Sequence, residues 1–292
     1  MIDIRKMGRL LLGLFLFAAA GAFAQIPRMS GIAKMTFRIS SLELAESYYG
    51  DFLGFDKAFE YDTPQGHILS YKVNDRQFLE FLVDPATREK ARFVSMTIST
   101  PDLEAMHAHI SAHGYAVTPI TTDGAGNRVF TTADDRGETI EFSDMNAKGL
   151  HARSAGKYLS PRRISDHIIH AGLHLNRIEE RPRFWTEVLG FYELTRCPED
   201  RSQPVNLIYL AMPGNTESIE SYSASPDAPI GTNFEHPCFA TLNMQQTLDE
   251  LRRRDPSLSH KGLGIGRTRR WIYNITNSDG LKVEFTEPYT IR

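Results

Sequence analysis

Three residues in the second half of the chain have the types and settings to hold a metal ion. His170, His236 and Glu284 each stand in an apolar segment, separated by 66 residues (170 to 236) and then 48 (236 to 284). The stretches Ile168-Ile-His-Ala-Gly-Leu-His-Leu175 and His236-Pro-Cys-Phe-Ala-Thr-Leu242 read as strands. Alternate residues of a strand share a face, so His170 groups with Gly172, and His236 with Cys238. If both strands line one cavity, the two imidazoles converge, and Glu284 in Lys282–Phe285 is the natural third member. Two imidazoles and a carboxylate leave adjacent coordination positions open, as a non-haem Fe(II) needs to hold a substrate and dioxygen together. A single strand histidine is more often a hydrogen-bonded core residue, so the case rests on the three together. His174 shares the face of His170 and would contact substrate or act as a base. Trp271 and Tyr273 alternate on a later strand, where they would stack on an aromatic substrate or pack the core.

These positions need a scaffold, and the chain supplies one by repetition. Tyr48-Tyr-Gly-Asp-Phe-Leu-Gly-Phe55 matches Phe184-Trp-Thr-Glu-Val-Leu-Gly-Phe191, and Asp135-Arg-Gly-Glu-Thr-Ile-Glu-Phe142 matches Ser278-Asp-Gly-Leu-Lys-Val-Glu-Phe285. The second half therefore repeats the first, and each half divides again into two modules of strand, helix and three strands. Module one runs from a strand at Ile32–Ile39 through a helix over Leu42–Phe52 to strands at Ile68–Val73 and Gln77–Val83. Module two has Phe93–Ser99, a helix over Asp102–Ala112, and strands near Val117, Val129 and Thr139–Phe142. Module three opens at Ile168, with a helix to Val188 and strands at Val205–Leu210 and Glu217–Ser223. Module four opens at His236, with a helix over Gln246–Arg254 and strands at Trp271–Ile275 and Lys282–Phe285. The fold class is α+β: four βαβββ modules paired into two barrel-like domains of curved sheets around a cavity, residues 31–145 and 164–290, joined by a linker at 146–163.

The 292 residues suffice for two cores. With 41% hydrophobic and 24% charged residues and a net charge of −3, the composition favours no nucleic-acid partner. Arg5, Lys6 and Arg9 precede the apolar run Leu10–Gly21 and then Ala22-Phe-Ala24, the layout of a signal peptide over residues 1–24. That predicts export, periplasmic or secreted, with a mature chain beginning near Gln25 and no membrane association after cleavage; assembly into a homo-oligomer stays open. Only Cys197 and Cys238 occur, so no disulfide framework holds the fold.

With these residues in view, the chain resembles the vicinal oxygen chelate superfamily of glyoxalases, bleomycin resistance proteins and extradiol dioxygenases. Its four-module plan is similar to that of the two-domain extradiol ring-cleaving enzymes. The resemblance spans about residues 31–288 and places His170, His236 and Glu284 on metal-ligand positions. In the first half, Lys34 matches His170, Phe93 or Val94 matches His236, and Glu141 matches Glu284, which implies a metal-free structural domain.

The resemblance also breaks. Extradiol enzymes carry a proton-handling histidine where this chain has Glu217, and Gly266–Gly280 lacks their histidine and displaces Tyr273 by a residue. Glu220 falls where glyoxalase I-like members place a fourth ligand. Three readings follow for a small-molecule substrate with two adjacent oxygens. In the first, a dioxygenase-like enzyme holds Fe(II) or Mn(II) on His170, His236 and Glu284, with Glu217, His174 or Tyr273 moving protons. In the second, a lyase or isomerase holds Ni(II) or Zn(II) with Glu220 as an added ligand. The third is a non-catalytic binding protein on the same fold.

Overall fold

The computed structural model describes residues 25–87, 90, 92–174, 182–222, 235–260 and 262–288. The leader expected over residues 1–24 lies outside them. Of the helix expected to end at Val188, residues 175–181 also lie outside.

Each half forms one curved eight-stranded sheet. The first contains β1 (Gly31–Ile39), β2 (Asp56–Thr63), β3 (Gly66–Lys72), β4 (Phe78–Val83), β5 (Phe93–Ser99), β6 (Thr121–Thr122), β7 (Arg128–Ala133) and β8 (Thr139–Ser143). The second contains β9 (Ile168–His174), β10 (Tyr192–Cys197), β11 (Leu207–Ala211), β12 (Ser218–Tyr222), β13 (His236–Ala240), β14 (Gly264–Ile265), β15 (Trp271–Thr276) and β16 (Lys282–Thr286). Their orders are β2-β3-β4-β1-β5-β8-β7-β6 and β10-β11-β12-β9-β13-β16-β15-β14, one pattern used twice. The first strands of paired modules, β1 with β5 and β9 with β13, lie antiparallel at the centre of each sheet and fuse the two modules into one.

Alternation assigns the faces. On β1, Met35, Phe37 and Ile39 turn toward the helices, joining Ala45, Tyr49 and Leu53 in the core; Lys34 and Thr36 turn the other way. The helices are α1 (Leu42–Ala45), α2 (Leu103–Ala112), α3 (Leu150–Arg153) and α4 (Met244–Arg254). The helix expected over Leu42–Phe52 changes type partway, α1 giving way to a π-helical turn at Glu46–Phe52. The matching segment Phe184–Val188 is π-helical as well. The shared Leu-Gly-Phe that follows ends both: Gly54 and Gly190 adopt φ of 79° and 70°, the left-handed conformation that glycine reaches without a Cβ penalty.

One hydrophobic core runs through both halves, with the Phe55 and Phe239 rings packed at a tilt, 5.1 Å between centroids. The repeated aspartate turn adds a reciprocal clasp. From the β7–β8 turn, Asp135 accepts a hydrogen bond from the Phe184 amide (2.8 Å) and Asp134 one from Trp185 Nε1 (3.2 Å); from the β15–β16 turn, Asp279 accepts one from the Ser40 amide (2.7 Å). The signature by which the sequence announces its repeat thus grips the start of the other half's helix. The segment expected as a linker is packed rather than loose: α3 puts the buried His151 ring between Phe59 and Phe78.

Candidate metal centre

The second sheet brings His170, Glu220, His236 and Glu284 together, with one ligating atom from each lying within 4.8 Å of all the others. Strand register produces the cluster. Gly172 on β9 opposes both Glu220 on β12 and His236 on β13, while His170 opposes Cys238, which in turn opposes Glu284 on β16. Glu220 Oε2 lies 3.5 Å from His170 Nε2 and 3.4 Å from His236 Nε2; Glu284 lies 3.4 Å and 3.8 Å from the same two nitrogens. All four residues are buried, Glu220 being the most open at 8% exposure. The resemblance puts Glu220 at a fourth-ligand position, and the register of β12 with β9 brings it into the cluster.

The residues fit a cation. Neither ring nitrogen of His170 makes a hydrogen bond, although the ring is wholly buried. Its 3.4–3.5 Å approaches to the two carboxylates are too long for good hydrogen bonds. They match the spacing of donors around one ion: bonds of about 2.1 Å at tetrahedral angles separate donor atoms by about 3.4 Å. Burial pushes both carboxyls up, yet the imidazoles hold Glu220 well below the usual carboxylate range and Glu284 below it as well. Burial pulls His170 down while Glu220 and Glu284 raise it above the ordinary imidazole value. These carboxylates and imidazoles are what a divalent ion requires, two N and two O donors.

A cavity of about 540 Å³ opens onto the cluster, lined among others by Tyr209, Glu220, Arg267, Asn274 and Glu284. Sequence reasoning missed Tyr209, whose hydroxyl donates to Glu220 Oε1 at 2.7 Å, and Lys282, whose ammonium lies 3.6 Å from Glu284 Oε2. The signal for Tyr209 was a single phenol in the aliphatic strand Leu207-Ile-Tyr-Leu-Ala211.

Two expected proton carriers point elsewhere. Glu217 precedes β12 with the parity of Ile219, opposite to Glu220. Its carboxylate accepts from the Ile32 amide and from Gln77 Nε2 (3.0 Å), so it joins the halves and does not face the metal candidates. Tyr273 opposes Phe285 and lies in the hydrophobic core, leaving Asn274, opposite Glu284, to face the cavity. The backbone of His174 sits two residues beyond Gly172 on the same face, opposite Tyr222; its side chain is outside the described residues. In the first half, the residue in the place of His236 is Ser95, opposite Thr36, rather than Phe93 or Val94, because β1 and β5 shift register near Phe37. Lys34 does stand in the place of His170, and Glu141 in that of Glu284.

Two curved sheets share one strand order, and the second carries a buried His/Glu cluster. Residues 31–142 match the model of the Glyoxalase/Bleomycin resistance protein/Dioxygenase superfamily, and the second half repeats the strand order of that matched region. Among solved structures it is similar to the 2,3-dioxygenase LapB from Pseudomonas sp. KL28 (17% identity, 90% of this chain and 95% of that one, TM-score 0.67). Homoprotocatechuate 2,3-dioxygenase from Arthrobacter globiformis gives 17% identity over 90% of this chain and 80% of that one, with a TM-score of 0.66. The Mn(II)-bound glyoxalase from Novosphingobium aromaticivorans gives 18%, 89%, 82% and 0.64. No curated protein matches the chain by sequence. At these identities the likeness carries the fold, which dioxygenase and glyoxalase share, so the choice between chemistries rests on the site.

Proposed function

We propose that the chain is a metal-dependent lyase or isomerase acting on a small substrate with two adjacent oxygens, with His170, Glu220, His236 and Glu284 as the metal ligands. The observation that carries this reading is the burial of Glu220 between the two imidazoles. A divalent ion on these four residues would supply Lewis acidity toward the substrate's vicinal oxygens while keeping fewer open positions than a three-ligand site. The proton is the protein's task. Tyr209 donates to Oε1 of Glu220 and orients the carboxylate, whose Oε2 faces the two imidazoles; Glu220 would take the substrate's proton when Oε2 is released from the ion. The low-dielectric cavity walls strengthen each of these interactions. Neither Glu217 nor Tyr273 faces the site to take a catechol's protons.

A dioxygenase-like enzyme holding Fe(II) or Mn(II) on His170, His236 and Glu284 is the second reading, favoured by the strand plan shared with two-domain 2,3-dioxygenases. Elemental analysis of anaerobically purified protein, followed by oxygen-electrode measurements with catechols, separates the two. One divalent ion per chain, lost in His236→Ala, with no oxygen uptake, is the expected result. Stoichiometric oxygen consumption that survives Glu220→Gln would overturn the lyase or isomerase assignment, and a metal-free protein that still binds ligand would overturn both. We infer export as well, from the basic and apolar leader; an intact mass beginning near Gln25 is the outcome expected of protein recovered outside the cytoplasm.

A further inference from the structure

The first half holds a second buried charged cluster, in the place the metal candidates occupy in the second half. Lys34 opposes Phe78 on β4 as His170 opposes Ser218 on β12, and Glu80 follows two residues on, as Glu220 does. Thr97 pairs with both Lys34 and Glu141, just as Cys238 pairs with both His170 and Glu284. Three members of the metal cluster therefore have counterparts by register: a lysine for one imidazole and a glutamate for each carboxylate. Lys34 Nζ lies 3.2 Å from Glu80 Oε2, 3.1 Å from Glu141 Oε1 and 3.6 Å from Asp123 Oδ2, with the lysine only 3% exposed.

The surroundings are built for negative charge. Tyr61 donates to Glu80 Oε2 at 2.7 Å, and Thr97 to Glu141 Oε1 at 2.8 Å. Asn127 donates to Nδ1 of His151 (2.9 Å), which leaves Nε2–H to donate to Glu80 Oε1 (3.0 Å). Burial alone would favour a neutral amine, yet Glu141 and Glu80 hold the Lys34 ammonium well above its ordinary pKa, so it stays charged. An isolated carboxylate group at this depth would be costly; a cation at their focus offsets that cost.

We propose that the ammonium of Lys34 is the resident cation of the first half, standing where the second half would bind its metal, and that Glu80, Asp123 and Glu141 form a divalent-cation site once that ammonium is removed. The inference rests on the metal reading of the second half only for the correspondence of position. Each sheet then needs one positive centre at the same point of its strand plan, and the two halves meet that need by different chemistry.

The test isolates the first half inside the full chain. Mn(II) binding, read by electron paramagnetic resonance of the free ion, is compared between His236→Ala and the double variant Lys34→His/His236→Ala, whose added imidazole stands at the register position of His170. The double variant should bind one Mn(II) per chain, at least tenfold more tightly than the single variant binds any. A folded double variant that binds no more Mn(II) than the single one overturns the proposal. Lys34→Met provides a second readout: its melting temperature should fall below the wild-type value and recover on adding Mn(II) by a margin the wild type does not show. An unchanged melting temperature, or one that Mn(II) leaves lowered, counts equally against it. Failure of the metal reading in the second half is separately visible, as wild-type protein that binds no metal.

Discussion

Gly172 fixes where the His236 ring of the candidate metal centre can lie. A Cβ built there would lie 2.0 Å from His236 Cε1, 2.3 Å from Nδ1 and 2.6 Å from Nε2, so the imidazole rests directly on the glycine backbone. At an ordinary contact distance of about 3.4 Å the ring must retreat by about 1.4 Å. Metal–donor distances tolerate only about 0.2 Å. Gly172 does not adopt a left-handed φ, so alanine brings no backbone strain and the damage falls on the ring. Gly172→Ala is therefore expected to leave the fold standing and weaken metal binding by at least the 10- to 100-fold typical of a misoriented ligand, about 1.4 to 2.8 kcal/mol. Calorimetric titration of metal-stripped protein with Mn(II) measures the loss, and a thermal melt of the same sample checks the fold. The molecule contains its own control: the register counterpart of Gly172 is Thr36, opposite Ser95 in the first half, so Thr36→Ala should leave metal affinity unchanged. Wild-type affinity in Gly172→Ala would refute the placement of His236 and the register argument behind it.

Other substitutions separate residues that line the site from those that merely lie near it in sequence. Tyr209→Phe removes the donor to Glu220 Oε1 and should weaken Mn(II) binding about tenfold in the same titration, the lower end of the range for losing such a partner. Tyr273→Phe should leave turnover and metal content untouched because the ring faces the core, whereas Asn274→Leu, opposite Glu284, should raise KM. Glu217 predicts a pH dependence. Burial raises its carboxyl to about 7, against the pull of the Ile32 amide and Arg76, so the folded protein keeps a proton that the unfolded chain releases near 4.5. That contribution to stability is complete below about 4.5 and is lost as pH rises through 7, about 3 kcal/mol at most. Glu217→Gln should flatten the fall in denaturant-derived stability between pH 5 and 8, and an identical slope in the variant would contradict the assignment.

Which features the sequence revealed follows from how each is encoded. The repeat was legible because it is written in turn and helix-end chemistry: Leu-Gly-Phe requires left-handed glycines at residues 54 and 190, and the aspartates of the β7–β8 and β15–β16 turns carry the clasps between halves. The candidate ligands on β9 and β13 were legible because strand alternation fixes a side chain's face from its own segment, as with His170 and Gly172. What stayed hidden depends on register between strands, which no single segment contains. Glu217 and Glu220 lie three apart and so on opposite faces; only the pairing of β12 with β9 decides which one meets the imidazoles. Tyr273 and Asn274 pose the same question one residue apart, settled by the pairing of β15 with β16. A one-residue slip exchanges the two faces of a strand, so an aligned family position can name the right strand and the wrong side chain. The same dependence explains why Lys34 looked like a mere absence of histidine: its meaning lies in three carboxylates from other segments, Glu80, Asp123 and Glu141, that close around its ammonium. The first half is thus better understood as a charged site with its cation built in than as a site that lost its metal.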